Sequence, residues 1–145
     1  MNIFKALRED HDTQRELLKT LVDTSGESSF RRKQYLELKK QLQSHAAAEE
    51  RFFYSPLIDS DTTIELSRHG IAEHHDIDKL INKLDDTDMT SPSWLHTMKQ
   101  LQHKVEHHLE EEEHSFFQVA GKVLEEDTKQ ELAENYHAEM AEQLQ

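Results

Sequence analysis

The sequence predicts an all-α protein, an up-down-up-down four-helix bundle with a short C-terminal helix, and three observations carry that expectation. Only 3 Gly and 2 Pro interrupt 145 residues, too few breakers for the turns of a sheet. Apolar residues recur three and four apart over long stretches, the period of one helix face. The breakers fall between those stretches, and the short connections they leave set consecutive helices antiparallel.

The first helix is expected from an Asn2 cap to about Thr24, with Phe4, Leu7, His11, Leu18 and Leu21 on one face and Ser25-Gly26 ending it. A second runs from about Ser29 to Tyr54 through Tyr35, Leu38, Leu42, His45, Glu49 and Phe52, and Ser55-Pro56 is expected to stop it. The third begins near Asp61 or Thr62 and carries Ile64, Ile71, His74, Ile77, Ile81 and Leu84. In the fourth, Ser91 caps, Pro92 takes the first helical position, and Trp94, Met98, Leu101, Val105, His108, Glu112, Ser115 and Val119 follow. A terminal helix over about 128–143, opened by Asp127 with Gln130 three residues on, is expected to pack across one end. The whole is read as one domain, 1–145, with the core bundle over about 2–124.

Composition excludes several functions. A formal charge of -13 repels phosphate backbones and anionic membranes, so neither nucleic acid nor a membrane is an expected partner. The absence of Cys removes disulfides, thiol nucleophiles and iron–sulfur clusters. No secretory leader or membrane-spanning run is read in the chain, and a cytoplasmic location is expected.

The 11 His are informative by position. At a shift of 63 residues, the spacing from His11 to His74, His45 falls on His108, Glu49 on Glu112, Glu50 on Glu113 and Phe53 on Phe116. Each half reads as a lone His on one helix, then His-x-x-x-Glu-Glu on the next. Residues four apart share a helix face, so His45 with Glu49 and His108 with Glu112 each aim a nitrogen and a carboxylate at one point. All six sit on the apolar seam, where each desolvated polar group without a partner costs about 2 to 7 kcal/mol. A cation among them removes that cost.

Imidazole with carboxylate and no thiolate suits iron first, then manganese or zinc. Six donors exceed one tetrahedral zinc site and suit two ions. His11 and His45 would hold one, His74 and His108 the other, and Glu49 and Glu112 would bridge both. With an oxo or hydroxo bridge, each ion would keep a vacancy for a small ligand.

These residues resemble the hemerythrin-like family, also called the HHE cation-binding domain. The resemblance runs from Asp10-His11-Asp12 through His45-Ala46-Ala47-Ala48-Glu49-Glu50 and Glu73-His74-His75 to His108-Leu109-Glu110-Glu111-Glu112-Glu113, with Phe53-Tyr54 and Phe116-Phe117 after the acidic pairs. It implies a non-haem di-iron centre in a four-helix bundle. Family members bind oxygen, sense oxygen, nitric oxide or iron, decompose peroxide, or repair iron centres. Asp78 stands where oxygen carriers have a further His, and Glu112 follows His108 by four residues rather than five. The pattern is thus closer to relatives with two His-x-x-x-Glu pairs.

Three functions are weighed. The first is binding or sensing of O2, NO or peroxide, the second a peroxide-decomposing or oxidising enzyme, the third iron storage or iron-centre repair. Glu111-x-x-His114 and Glu134-x-x-His137 match an element of ferritin-like enzymes but lie off the seam. His69, His96, His103, His107 and His114 are assigned to the surface, Glu50 and Glu113 to solvent, and Tyr35, Tyr54 and Trp94 to core packing. The alternative for a Tyr is a hydroxyl over the open site.

Overall fold

A computed structural model describes residues 1–26 and 28–145, and among them there are helices and no strands. Five long helices order the chain. α1 is Ile3–Val22. α2 is Ser29–Glu49, prolonged by a π-helical turn, Glu50–Tyr54, and a last turn, Ser55–Ile58. α3 is Ile64–Asp85. α4 is Pro92–Glu111, prolonged by a second π turn, Glu112–Phe116, and by Phe117–Val123, and α5 is Glu126–Gln143. No helix among the described residues is long and apolar enough to cross a membrane.

The caps explain most starts. Asn2, Ser28 and Ser91 each accept a backbone N–H of the first turn through the side chain, and Pro92 opens α4 as expected. Two starts differ from expectation. α3 begins at Ile64 because Thr63 is held in the preceding turn, its hydroxyl donating to the Leu57 carbonyl at 2.6 Å. α5 begins two residues before the expected 128, with Glu125 in the cap position in place of Asp127.

Pro56 does not end α2. The π turn ahead of it widens the backbone, Ser55 N–H reaching the Glu50 carbonyl, so the proline enters as the first turn of a new helical segment. The second π turn lies one residue earlier in the repeat, at Glu112–Phe116 of α4, without any proline. Each inserts one residue after the His-x-x-x-Glu element and advances the buried face. Hence Phe53, Tyr54, Phe116, Phe117 and Ala120 are buried, while Phe52 and Val119 are half-buried and Ser115 is exposed. A uniform period of 3.6 had placed Phe52, Ser115 and Val119 inward.

Two apolar clusters form the interior. One gathers Ile3, Leu7, Phe53, Leu57, Phe117 and Tyr136 beneath α5, and the other gathers Leu18, Leu38, Ile81, Trp94, Leu101 and Val105. Along every one of α1 to α4 the seam His and Glu fall between the two. Arg31 closes the far end: it is buried, donates to Thr24 and to the Met89 carbonyl at 2.6 to 2.8 Å, and lies 4.7 Å over the Trp94 ring.

Candidate metal centre

Four helices deliver the six expected residues to one buried layer. His11 comes from α1, His45 and Glu49 from α2, His74 from α3, and His108 and Glu112 from α4. None is more than 6% exposed. His11, His45, Glu49 and Glu112 bring one ligand atom each within 4.8 Å of the others, and Glu49, His74 and His108 do the same. Glu49 therefore belongs to both sets. Glu112 belongs to the first and approaches the second through His108.

Four contacts define the exchange between halves. His11 Nε2 lies 3.3 Å from Glu112 and His74 Nε2 3.1 Å from Glu49, while His45 and His108 face the Glu of their own helix at 3.7 and 3.6 Å. Two donors about 2.1 Å from one ion at about 90–125° lie about 3.0 to 3.7 Å apart, so these spacings suit shared cations. The Nε2 atoms of His11, His45 and His108, both oxygens of Glu49 and Oε1 of Glu112 are buried with no hydrogen-bond partner. Such atoms are rare in folded proteins because each forfeits its hydration. The residues thus fit a pair of cations, and the orphaned atoms are the ones that would hold them.

The opposite ring nitrogens are all engaged. His11 Nδ1–H donates to Glu113 at 2.6 Å, His74 to Glu50 at 2.7 Å and His108 to Glu73 at 2.7 Å. This fixes the tautomer that leaves Nε2 lone pairs facing inward. Glu50 and Glu113, expected in solvent, are instead the acceptors that orient the lone His of the other half. Arg15 holds Glu113 in turn, at 3.1 Å.

The fourth His breaks the repeat. Asp10 stands where Glu73 stands in the other half, one methylene shorter, and its carboxylate stays 3.8 Å from His45 Nδ1. Tyr136 of α5 fills the gap: its hydroxyl accepts from His45 Nδ1 at 2.5 Å and donates to Asp10. Nothing in the duplicated pattern pointed to this residue, since α5 lies outside the repeat.

The aromatic pair is likewise unequal. Phe117 stacks on His11 at 6.0 Å, and its counterpart Tyr54 stacks on His74 at 5.4 Å. Tyr54 alone carries a hydroxyl, which donates to Glu112 Oε2, the oxygen nearest His108. Of the three side chains assigned to packing, Tyr54 therefore also belongs to the centre. Tyr35 and Trp94 pack in the distant cluster, where Tyr35 donates to Asp85 at 2.7 Å. Gln14, absent from the expected face, is buried beside His45 with an unpartnered Nε2, and both line a small cavity with His74 and His108.

Electrostatics separate the two central carboxylates. Burial and the neighbouring Glu112 push Glu49 well above the usual carboxylate range. Burial opposes the charge of Glu112 as well, but the adjoining Glu49 carboxyl and the His11 and His108 imidazoles hold it well below. Burial opposes the charge of His11, yet Glu112 and Glu113 outweigh it and raise His11 to about 9. Burial dominates at His45 and lowers it to about 4. Despite partial burial, His108 and His11 hold Glu73 and Glu113 at about 2. Raised imidazole and lowered carboxylate thus compensate one another across the layer.

The remaining expectations on surface residues agree with the structure. His96, His103, His107, His114, Glu134 and His137 are exposed, and so is His75 next to His74. The neighbours of the seam His do not displace them.

The fold and this layer define a cation-binding helical protein. The hemerythrin HHE cation binding domain family matches residues 2–145, and the chain belongs to that family. A crystal structure of a hemerythrin HHE cation binding domain-containing protein from Mycobacterium kansasii has a similar fold, with a TM-score of 0.87 and 22% identity over 99% of this chain and 87% of that one. No curated protein matches the sequence.

Proposed function

We propose that the protein carries two iron ions, bridged by Glu49 and Glu112, in a centre that binds or senses O2, NO or peroxide. The observation that carries the reading is the set of buried Nε2 and carboxylate atoms without partners, converging from two halves. His11 and His45 would hold one ion, His74 and His108 the other. Nitrogen and oxygen donors without sulfur favour iron over softer metals, with manganese or zinc as alternatives. Iron so held supplies redox equivalents and a binding position for a small ligand.

The protein's own residues set what reaches that position. Both apolar clusters exclude bulk water, and Gln14 Nε2 supplies an unpartnered donor for a ligand that accepts a hydrogen bond. Apolar clusters follow one another in opposite order along successive helices, which supports the up-down-up-down bundle. The family match along almost the whole chain supports a single domain over 1–145. A cytoplasmic location and a small diffusible ligand, without nucleic acid or membrane, complete the reading.

Metal analysis with visible spectra through a dithionite and air cycle tests it. Two irons per chain and a reversible spectral change are expected; fewer than one iron after anaerobic reconstitution would sink it. A second reading, peroxide decomposition, is favoured by the line from half-buried Asp10 through Tyr136 to His45, a path for protons to the centre. Oxygen evolution from added peroxide that disappears in His108→Ala would support it.

A further inference from the structure

We propose that His69, Glu73 and Glu111 form an outer cation site through which divalent metal loads the buried centre. His69 Nε2 lies 3.0 Å from Glu111 and 3.4 Å from Glu73, and one ligand atom from each falls within 4.8 Å of the rest. Those are the spacings found among the inner donors. Here, however, His69 is 52% exposed and Glu111 36%, so the group meets solvent while Glu73 is buried.

Glu73 joins the two places. Its Oε1 accepts from His108 Nδ1 at 2.7 Å, and the other nitrogen of that ring faces the centre with no partner. A narrow cleft lined by His69, Glu73 and Glu111 continues to His108 and Glu112. Glu112 lines it as a buried carboxylate, its Oε2 3.6 Å from His108 Nε2. Lys104, 3.5 Å from Glu73 Oε2, occupies the oxygen that His108 and His69 do not use.

The internal repeat shows that this opening is particular to one half. Shifted by 63 residues, His69, Glu73 and Glu111 correspond to Ala6, Asp10 and Ala48. There α5 packs over α1 and α2, and Ala6 and Ala48 are buried with Leu132, Ala133 and Tyr136 in one apolar cluster. One face of the duplicated frame is sealed by a helix and lined by methyl groups. The other is uncovered and carries three donors. A formal charge of -13 draws cations toward the molecule, and the cleft offers them a graded path from partly hydrated to fully protein-held ligation.

The destination rests on the di-metal reading, but the outer site can be tested apart from it with Co2+ and metal-free protein. Calorimetric titration of the wild type is expected to show three Co2+ per chain, two tight and one weaker. His69→Ala/Glu111→Gln, which leaves Glu73 and its bond to His108 in place, is expected to retain the tight two and lose the third. In stopped-flow mixing its inner absorption bands should then grow about tenfold more slowly, the scale of a lost electrostatic funnel. An unchanged stoichiometry or an unchanged filling rate overturns the proposal. His11→Ala/His74→Ala should keep the weak site, and loss of all binding there also overturns it. Three ions unaffected by that second variant would instead overturn the inner centre.

Discussion

At the residue scale, the centre depends on atoms that orient its imidazoles as much as on the imidazoles. Tyr136 is the sharpest case, because removing its hydroxyl leaves His45 Nδ1 facing Asp10 across 3.8 Å. Loss of such an orienting bond typically weakens metal binding about 10- to 100-fold. Tyr136→Phe is therefore expected to weaken one of two tight Co2+ sites by about that factor and spare the other, as read by calorimetry. Equal weakening of both would refute the assignment. Gly70 matters through Tyr54: a Cβ there would lie 2.5 Å from the Tyr54 hydroxyl, and that ring is held between His74 and Phe116. Gly70→Ala is expected to destabilise the protein by about 1 to 3 kcal/mol, the usual range for overpacking. Denaturant unfolding of metal-free protein measures it.

At the element scale, the helices obey ordinary rules except at two points. Caps behave as their residues suggest, so Ser28→Ala, which removes the acceptor for Arg31 N–H at 3.0 Å, should cost about 0.5 to 2 kcal/mol in chemical denaturation. The exceptions are the π turns, which begin at Glu50 and at Glu112, where each His-x-x-x-Glu element ends, and help bury two consecutive aromatics each. Such turns are rare and cluster at functional sites. Here they bring Tyr54 and Phe117 over His74 and His11, positions that an unbroken 3.6 period would rotate away.

At the scale of the whole molecule, a polar layer divides the apolar interior, so folding and cation binding are coupled. Saturation with metal should raise Tm markedly, and a metal-insensitive Tm would contradict the coupling. Acidity gives a second handle. In the metal-free protein His11 titrates at about 9, above its ordinary 6.5, and Glu49 is also raised. The folded state then holds more protons than the unfolded one. The stability due to His11 is fully present below pH 6.5 and is lost as pH rises through about 9. Below pH 6.5 the sign at His45 is opposite, because its lowered value of about 4 makes protonation favour unfolding. Metal-free Tm should thus fall between pH 6.5 and 9. Metal uptake at pH 8 should release at least one proton, measurable in buffers of different ionisation enthalpy; no release would exclude a protonated His11.

The helical class, the order of the long helices, the family and the six seam residues were legible in sequence. Helix period and capping are local properties, and a repeated His-x-x-x-Glu fixes a common face within a single helix. What lay beyond it were contacts between residues far apart in the chain. Glu113 on His11, Glu50 on His74, Tyr136 on His45 and the cleft at His69 join segments that only packing brings together. The one-residue advance at each π turn was also hidden, because no breaker marks it in α4 and its cause is the fit of aromatic rings over the centre. Up to each π turn local periodicity determined the six seam residues that face inward, and tertiary packing decided which atoms each of them meets, since hydrogen-bond partners are set by distance in space and not by spacing along a helix.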